Sequence, residues 1–463
     1  MRGKNLFHWM PLLVALCVLS EGLFFMAVTK PGHVPDVWAH VYRIDSILNG
    51  DIVARPVTSR SMLHNTGRGV VGGAVDRSWM QYSLDQYDGY DPSVVLPESV
   101  IGNTATADLP FNNTATNSPI VYAPQLVGFA IGRVLSLGPE MTYRLAESCM
   151  LAVYVLLMYC AICALPRWRI PIGLLLCVPQ MVKLASFSIS ADSFTQAVVI
   201  LFGCLLFGQI IGERSRQGAM TIAVVSVVLA MCKFVYMPLA LLTIPIMFDR
   251  AGVGRGLHLN ADHTVPIIGG VVLSGVWIVF WLGVNSWYTN CPMLVSYEQM
   301  AERKHALLTD SAAMADAVKN IAWAITHAQA NMNNKKDSLV IAVCWLAIAL
   351  TVIVLVVSSM LNISIKNRST HIAGRVDGYE DGCDVLPLPC AWLIVVVCVG
   401  DILLIYLALW LQYDADGLIG VDGMQFRYFF PYAPLFALVA LESGKRLLIY
   451  IKSGQGTIGV SVR

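Results

Sequence analysis

Apolar residues run together in this chain, in stretches of roughly twenty between polar breaks, the length a helix needs to cross a bilayer core. Such stretches occupy residues 9–28, 145–165, 170–187, 194–212, 219–248, 264–284, 338–360, 390–411 and 429–441. The stretch 219–248 is interrupted by Cys232-Lys233-Phe234-Val235-Tyr236-Met237-Pro238. Residues 118–137 are also apolar but carry Pro119, Pro124, Gln125 and Arg133. Basic residues gather on the cytoplasmic side of membrane proteins and arbitrate both cases. Arg2 and Lys4 place the N-terminus inside. If 118–137 crossed, Arg167 and Arg169 would lie outside, so it is read as a re-entrant or interfacial helix. If 219–248 were one span, Arg250, Arg255, Lys366, Arg368, Arg375, Lys445, Arg446 and Lys452 would lie outside. As two short helices with Lys233 at their outer bend, it keeps them inside. The pattern predicts an all-α polytopic membrane protein, one integral membrane domain over residues 1–463. It has about ten transmembrane helices and both termini in the cytoplasm.

Three polar regions follow from that topology. A long first external loop covers residues 29–117, rich in Gly, Asp and Asn (Gly67, Gly69, Gly72, Gly73), with Trp79, Tyr82, Tyr87 and Tyr90 among them. Aromatic faces beside amides and acids suit a sugar, and equally suit packing on the membrane rim. Asn112-Asn113-Thr114 also fits the short acceptor pattern for N-glycosylation. A second external region, 285–337, reads as amphipathic helix over 296–331, and a hydrophilic cytoplasmic loop covers 361–389.

Composition agrees: 56% of residues are hydrophobic and 13% charged, and the mean hydropathy is +0.64. Lys and Arg number 31 against 30 Asp and Glu, so no basic excess points to nucleic acid. The 12 cysteines fall mostly inside apolar runs, where they behave as small hydrophobes; the CxxC at Cys160 and Cys163 has no His or acidic companions nearby.

Chemistry gathers after the first span. In Pro35-Asp36-Val37-Trp38-Ala39-His40-Val41-Tyr42-Arg43, helical spacing puts Asp36, His40 and Arg43 on one face. The alternative is a polar cap on an interfacial helix. The topology brings Asn117, Gln125, Asp192, Lys233, Gln425, Arg427 and Tyr428 to the same outer boundary. Ionisable groups at membrane depth are candidates for function, although Asp192 alone could be a helix cap and Lys233 alone could snorkel.

The order of these motifs resembles a bacterial membrane-protein family, domain of unknown function number 2142. The carrying segments are Pro35 to Arg43, Ser118 to Gln125 (with Tyr122), Ser190-Ala191-Asp192-Ser193, Lys233 to Pro238 (with Tyr236) and Arg427-Tyr428-Phe429-Phe430-Pro431. That family is grouped with the GT-C glycosyltransferases, which take a sugar from a polyprenyl-phosphate carrier outside the cytoplasm and keep an essential acid in the first external loop. The resemblance implies transfer to a cell-envelope glycan at the extracytoplasmic face of a bacterial cell membrane. Asp36 matches the essential acid, His40 and Arg43 its companions, and Arg427 the late Arg-Tyr. Val37 stands where the family usually carries a second acid. That weakens the case for a divalent metal; no metal ligands are assigned and no other cofactor is implied. In such a transfer Asp36 would be the base, His40 would orient it or the acceptor, and Lys233 and Arg427 would hold the phosphate. The competing readings are a glycolipid or polysaccharide transporter, for which Glu21 and Asp401 are intramembrane acids, and a non-catalytic scaffold of polysaccharide assembly.

Overall fold

The computed structural model describes residues 2–57, 71–86, 105–248, 258–288, 295–329, 335–371, 385–414 and 419–458. Gly67, Gly69, Tyr87 and Tyr90 of the first loop, Arg250, Arg255 and Arg375, and the middle of loop 361–389 lie outside those residues. Helices dominate: α1 (Arg2–Val28), α2 (Val37–Leu48), α3 (Arg77–Asp85), α4 (Ala123–Val134), α5 (Pro139–Ala164), α6 (Arg169–Leu176) and α7 (Ala191–Ile211). They continue as α8 (Arg216–Cys232), α9 (Ala261–Tyr288), α10 (Tyr297–Thr309), α11 (Ser311–Thr326), α12 (Lys335–His371), α13 (Leu388–Tyr413) and α14 (Ala433–Ile458). Among the described residues, six helices are long and apolar enough to cross a membrane: Leu6–Val28, Pro139–Ala164, Ala191–Ile211, Ala261–Asn285, Lys336–Leu361 and Leu388–Tyr413. The chain is therefore a mostly helical, membrane-type protein.

Several boundaries differ from the hydropathy reading. The stretch 170–187 is not one helix: α6 has 8 residues and a single further turn covers Pro179–Val182. Pro179 lacks an amide hydrogen and holds Val178 extended (φ −72°, ψ 128°), which ends the helix there. The amphipathic stretch 296–331 is two helices, because the Asp310 side chain accepts from the Ala312 N–H and starts α11 afresh. Stretch 219–248 does break at Lys233, whose backbone is extended (φ −143°, ψ 125°). Its second half, Phe234–Met247, is a 3₁₀ helix of 14 residues containing Pro238 and Pro245. At about 2.0 Å per residue it reaches roughly 28 Å, a bilayer-core length that the same residues would not cover as α-helix.

Residues 118–137 form one 3₁₀ turn (Pro119–Tyr122) and the 12-residue α4, about 18 Å long, which lies along α5. Gly128 makes that contact close: a Cβ there would come within 2.5 Å of the Ala146 Cα. Gly132, one turn on, meets Thr142 in the same way, so Gly128 and Gly132 form a small-xxx-small face.

The described residues of the region 29–117, expected as an external loop, form a folded layer. Strands β1 (Arg55–Pro56), β2 (Val71–Asp76) and β3 (Thr106–Pro110) form an antiparallel sheet in the order β1-β2-β3. With α2, α3, α4 and the start of α5 it builds a hydrophobic core of its own, separate from the helix-bundle core. Trp79 is buried and stacks on Phe129 with ring centroids 4.7 Å apart, so it packs this core and offers no sugar platform. Asn112 is buried as well, and its Oδ1 accepts the Val71 N–H, which leaves no room for a glycan.

Helix ends are tied in two sets. Arg144 Nη1 donates to the Met26 carbonyl at 2.9 Å, joining the end of α1 to the start of α5. At the other end of α5, Arg167 Nε and Nη2 donate to Glu442 at 2.6 and 2.7 Å. Trp168 Nε1 and the Leu386 N–H converge on the same carboxylate.

Candidate functional site

α2 begins the site. It is buried along nearly its whole length, from Val37 to Ser46, between the loop sheet and α4, so its polar side chains must find partners. Asp36 is not inside the helix: it is the residue before it, in the left-handed region (φ 58°, ψ 9°). That conformation costs a non-glycine residue about 1 kcal/mol and turns the carboxylate off the helical face predicted from spacing.

Asp36 and the bundle meet. Ser190 caps α7, its Oγ accepting the Asp192 N–H at 3.1 Å, and this fixes Asp192 in the first turn. Asp192 Oδ1 accepts from Lys233 Nζ, at the break between α8 and the 3₁₀ helix. Arg427, on the 3₁₀ turn Phe426–Tyr428 ahead of α14, pairs with Asp192 Oδ2 through Nε at 3.2 Å. Its guanidinium lies 5.7 Å from the Tyr428 ring centroid. Asp36 is close enough to feel all three charges. Burial raises its carboxyl above the usual range and Asp192 adds to this, while Arg427, a side-chain hydrogen bond from Asn113 and Lys233 oppose it. Arg427 stays charged, because the Asp192, Tyr428 and Asp36 oxygens outweigh its burial.

His40 sits one turn into α2, buried, with Nδ1 2.7 Å from Tyr122 Oη. Burial pushes its imidazole down to about 3, with Asp192 opposing and Lys233 and Arg427 reinforcing, so it is neutral at ordinary pH. Beside Asp192 and Arg427 opens a small pocket with free volume of about 20 Å³, room for one water-sized group. Ser188, Ser190, Ser193 and Gln196 line it as well.

Of the residues expected from the sequence, Asp36, His40, Tyr122, Asp192, Lys233, Arg427 and Tyr428 come together. Arg43 stands behind them: it is fully buried, its Nη1 and Nη2 donate to the Asp51 and Ile52 carbonyls at 2.8 and 2.6 Å, and Nη2 also reaches the Asn117 carbonyl at 3.4 Å. A seven-residue offset on a buried helix points it to the loop side, where it clamps the chain leading to β1. Gln125 is buried too, its Nε2 on the Ser190 and Ser188 carbonyls at 3.2 and 3.4 Å, so it supports the turn before α7. Tyr236 packs toward Tyr432, ring centroids 5.8 Å apart, and lies within the field of Asp192, Tyr428 and Arg427. Gln425 enters through its backbone, whose carbonyl accepts the Tyr428 N–H at 3.1 Å. Asn117, expected at the same boundary, joins the site through Tyr122 Oη, and Ser190, part of the Ser190–Ser193 motif, joins it through Asp192. Asn113, which donates to Asp36, was expected only as part of a glycosylation pattern; an amide residue in a polar loop carries no local signal.

The donor set does not suit a divalent cation. Two carboxylates approach, but both oxygens of Asp192 already face cations, and Val37 is a buried apolar residue. Among the described residues, no group of three His, Cys, Asp or Glu side chains is placed to hold a metal.

No curated protein and no solved structure matches this chain. A family described as "predicted membrane protein (DUF2142)" matches residues 19–436, which include every residue of the cluster, and the chain belongs to that family.

Proposed function

We propose that this protein is a glycosyltransferase that moves a sugar from a polyprenyl-phosphate carrier to a cell-envelope glycan, with Asp36 as the base. The observation that carries the reading is a strained, half-buried carboxylate within the field of two cations that share Asp192. Asp36 takes the proton of the acceptor hydroxyl as that oxygen attacks the anomeric carbon. The sugar–phosphate C–O bond breaks and its electron pair stays on the phosphate, which gains one negative charge. Once Asp36 is protonated, Lys233 and Arg427 outnumber Asp192 by one positive charge, so the cluster meets the new charge as it forms. Arg427 offers a planar fork for phosphate oxygens and Lys233 a point charge. No step needs a metal.

The reading also takes the chain as crossing about ten times, with the cluster on the extracytoplasmic face and both termini inside. Support comes from the helix ends: Asp192 meets Lys233 at one end of α7 and α8, whereas Arg167, Glu442 and Leu386 meet at the other end of the bundle.

The test is the surface glycan of a strain carrying Asp36→Asn at normal protein level. Accumulated acceptor lacking its sugar is the expected result, and unchanged glycosylation overturns the proposal. A glycolipid transporter is the second reading, favoured by one observation: Asp401 is fully buried in the middle of α13, accepting from Tyr432 Oη at 3.4 Å. That reading expects lost surface glycolipid in Asp401→Asn, with transfer in membranes intact.

A further inference from the structure

The hydroxyls around the pocket differ in what they have left to give. Ser188 Oγ donates to the Leu184 carbonyl at 2.5 Å and Ser193 Oγ to the Ser188 carbonyl at 3.1 Å, so both protons are used within the chain. Ser190 Oγ instead accepts the Asp192 N–H at 3.1 Å, and its other contact is His40 Nε2 at 3.5 Å, which donates or accepts according to the imidazole tautomer. Behind Ser190 stands a line of donors. Asn117 Nδ2 donates to Tyr122 Oη at 3.0 Å, Tyr122 Oη lies 2.7 Å from His40 Nδ1, and His40 Nε2 lies 3.5 Å from Ser190 Oγ.

The polarity of this line follows from proton counting. The Tyr122 hydroxyl has one proton; with the Asn117 amide already directed at its oxygen, that proton goes to His40 Nδ1. A neutral imidazole that accepts at Nδ1 carries its hydrogen on Nε2, which points at Ser190 Oγ. Ser190 then receives two N–H groups, and its own proton turns into the pocket beside the Arg427 guanidinium. The Asp192 carboxylate on that wall is already taken by Lys233 and Arg427. What remains free to act there is a hydroxyl donor next to a cation, in a space for one oxygen-sized group.

We propose that Ser190 donates its hydroxyl proton to one oxygen of a bound phosphate, and that Tyr122 and His40 are positioning residues that set the direction of that donation. The inference rests on the reading above that the site receives a phosphate-bearing lipid, and it makes His40 a fixed donor in place of a second base. One phosphate oxygen enters the pocket and the rest of the group stays at its mouth, near Lys233.

Two measurements on the full chain in detergent test this. Nitrogen-15 NMR of histidine-labelled protein should find His40 neutral with its hydrogen on Nε2; a hydrogen on Nδ1 means that the Asn117 amide is turned and the line runs the other way, which overturns the inference without any variant. Binding is then measured with inorganic phosphate and with a short-chain polyprenyl phosphate. Ser190→Ala should weaken both by about tenfold, Ser190→Thr should recover most of the loss, and Tyr122→Phe should weaken binding less while shifting the His40 tautomer. Equal affinities of Ser190→Ala and the parent overturn the Ser190 role. Binding of inorganic phosphate but not of the lipid phosphate keeps Ser190 and overturns the lipid-carrier reading; binding of neither overturns both.

Discussion

Asp36 occupies a backbone conformation that glycine would adopt at lower cost, and it is half-buried among other charges. The Asn113 hydrogen bond and the Arg427 and Lys233 charges favour its carboxylate, but burial outweighs them. Asp36→Gly should therefore raise stability by about 1 kcal/mol while abolishing transfer, read from thermal unfolding in detergent beside glycan analysis. A purely structural Asp36 would give the opposite stability result. His40 yields a pH prediction. Its folded state titrates near 3 against an ordinary value of 6.5, so below about 6.5 the unfolded chain takes a proton that the folded chain refuses. The stability it contributes is full above 6.5 and is lost as pH falls toward 3, at roughly 1.4 kcal/mol per pH unit. The melting temperature should fall over that window, and His40→Gln should flatten the fall. Asp36 works in the other direction, since its raised carboxyl favours the folded state at low pH and loses that contribution as pH rises through its folded value. The difference between parent and His40→Gln isolates the imidazole.

At the scale of elements, the site depends on how α2 and α4 are seated. Arg43 holds the exit of α2, and Asp45, fully buried with its carboxyl raised to about 6 by burial, accepts from Arg133 of α4 at 2.7 Å. α4 in turn lies on α5 through Gly128 and Gly132. Gly128→Ala places a methyl against the backbone of Ala146, where no flexible side chain can give way. The expected loss is about 2 kcal/mol, seen as a lower melting temperature, and weaker phosphate binding, because Tyr122 immediately precedes α4. That packing face emerged only in the structure, where Gly128 and Gly132 meet Ala146 and Thr142. Hydropathy alone reports only an apolar stretch with two prolines. The break at Lys233 was readable, since a lysine and a nearby proline interrupt an apolar run; the 3₁₀ winding after it was not, because it follows from how Phe234–Met247 packs on α13 and α8.

Across the whole molecule, Glu442 fastens the far end of the bundle. It is buried and takes hydrogen bonds from Arg167, Trp168 and the Leu386 backbone, so one carboxylate holds α14 to the end of α5 and the start of α13. Glu442→Gln should cost about 3 kcal/mol, since Arg167 loses its counter-charge in a confined place. Thermal unfolding would register the loss, while phosphate binding by the surviving folded protein should stay unchanged. The orientation predicts labelling behaviour too. A maleimide that cannot cross membranes should react in intact cells with Gln81→Cys, exposed on α3, and should reach Glu213→Cys, exposed after α7, only after permeabilisation. The reverse pattern would place the Asp36 cluster in the cytoplasm.

The sequence by itself determined that the chain is helical and membrane-type, where its main apolar helices lie, and that Asp36, Asp192, Lys233 and Arg427 fall at breaks between apolar stretches. Hydropathy and charge bias act on each segment separately, so they can be read along one dimension. Tertiary structure alone decided which polar residues serve the cluster and which serve the fold. Arg43 and Arg427 look alike in sequence, yet one is spent on backbone carbonyls and the other faces a carboxylate and a pocket. The difference lies in which groups packing brings within hydrogen-bond reach, and those partners stand far apart along the chain.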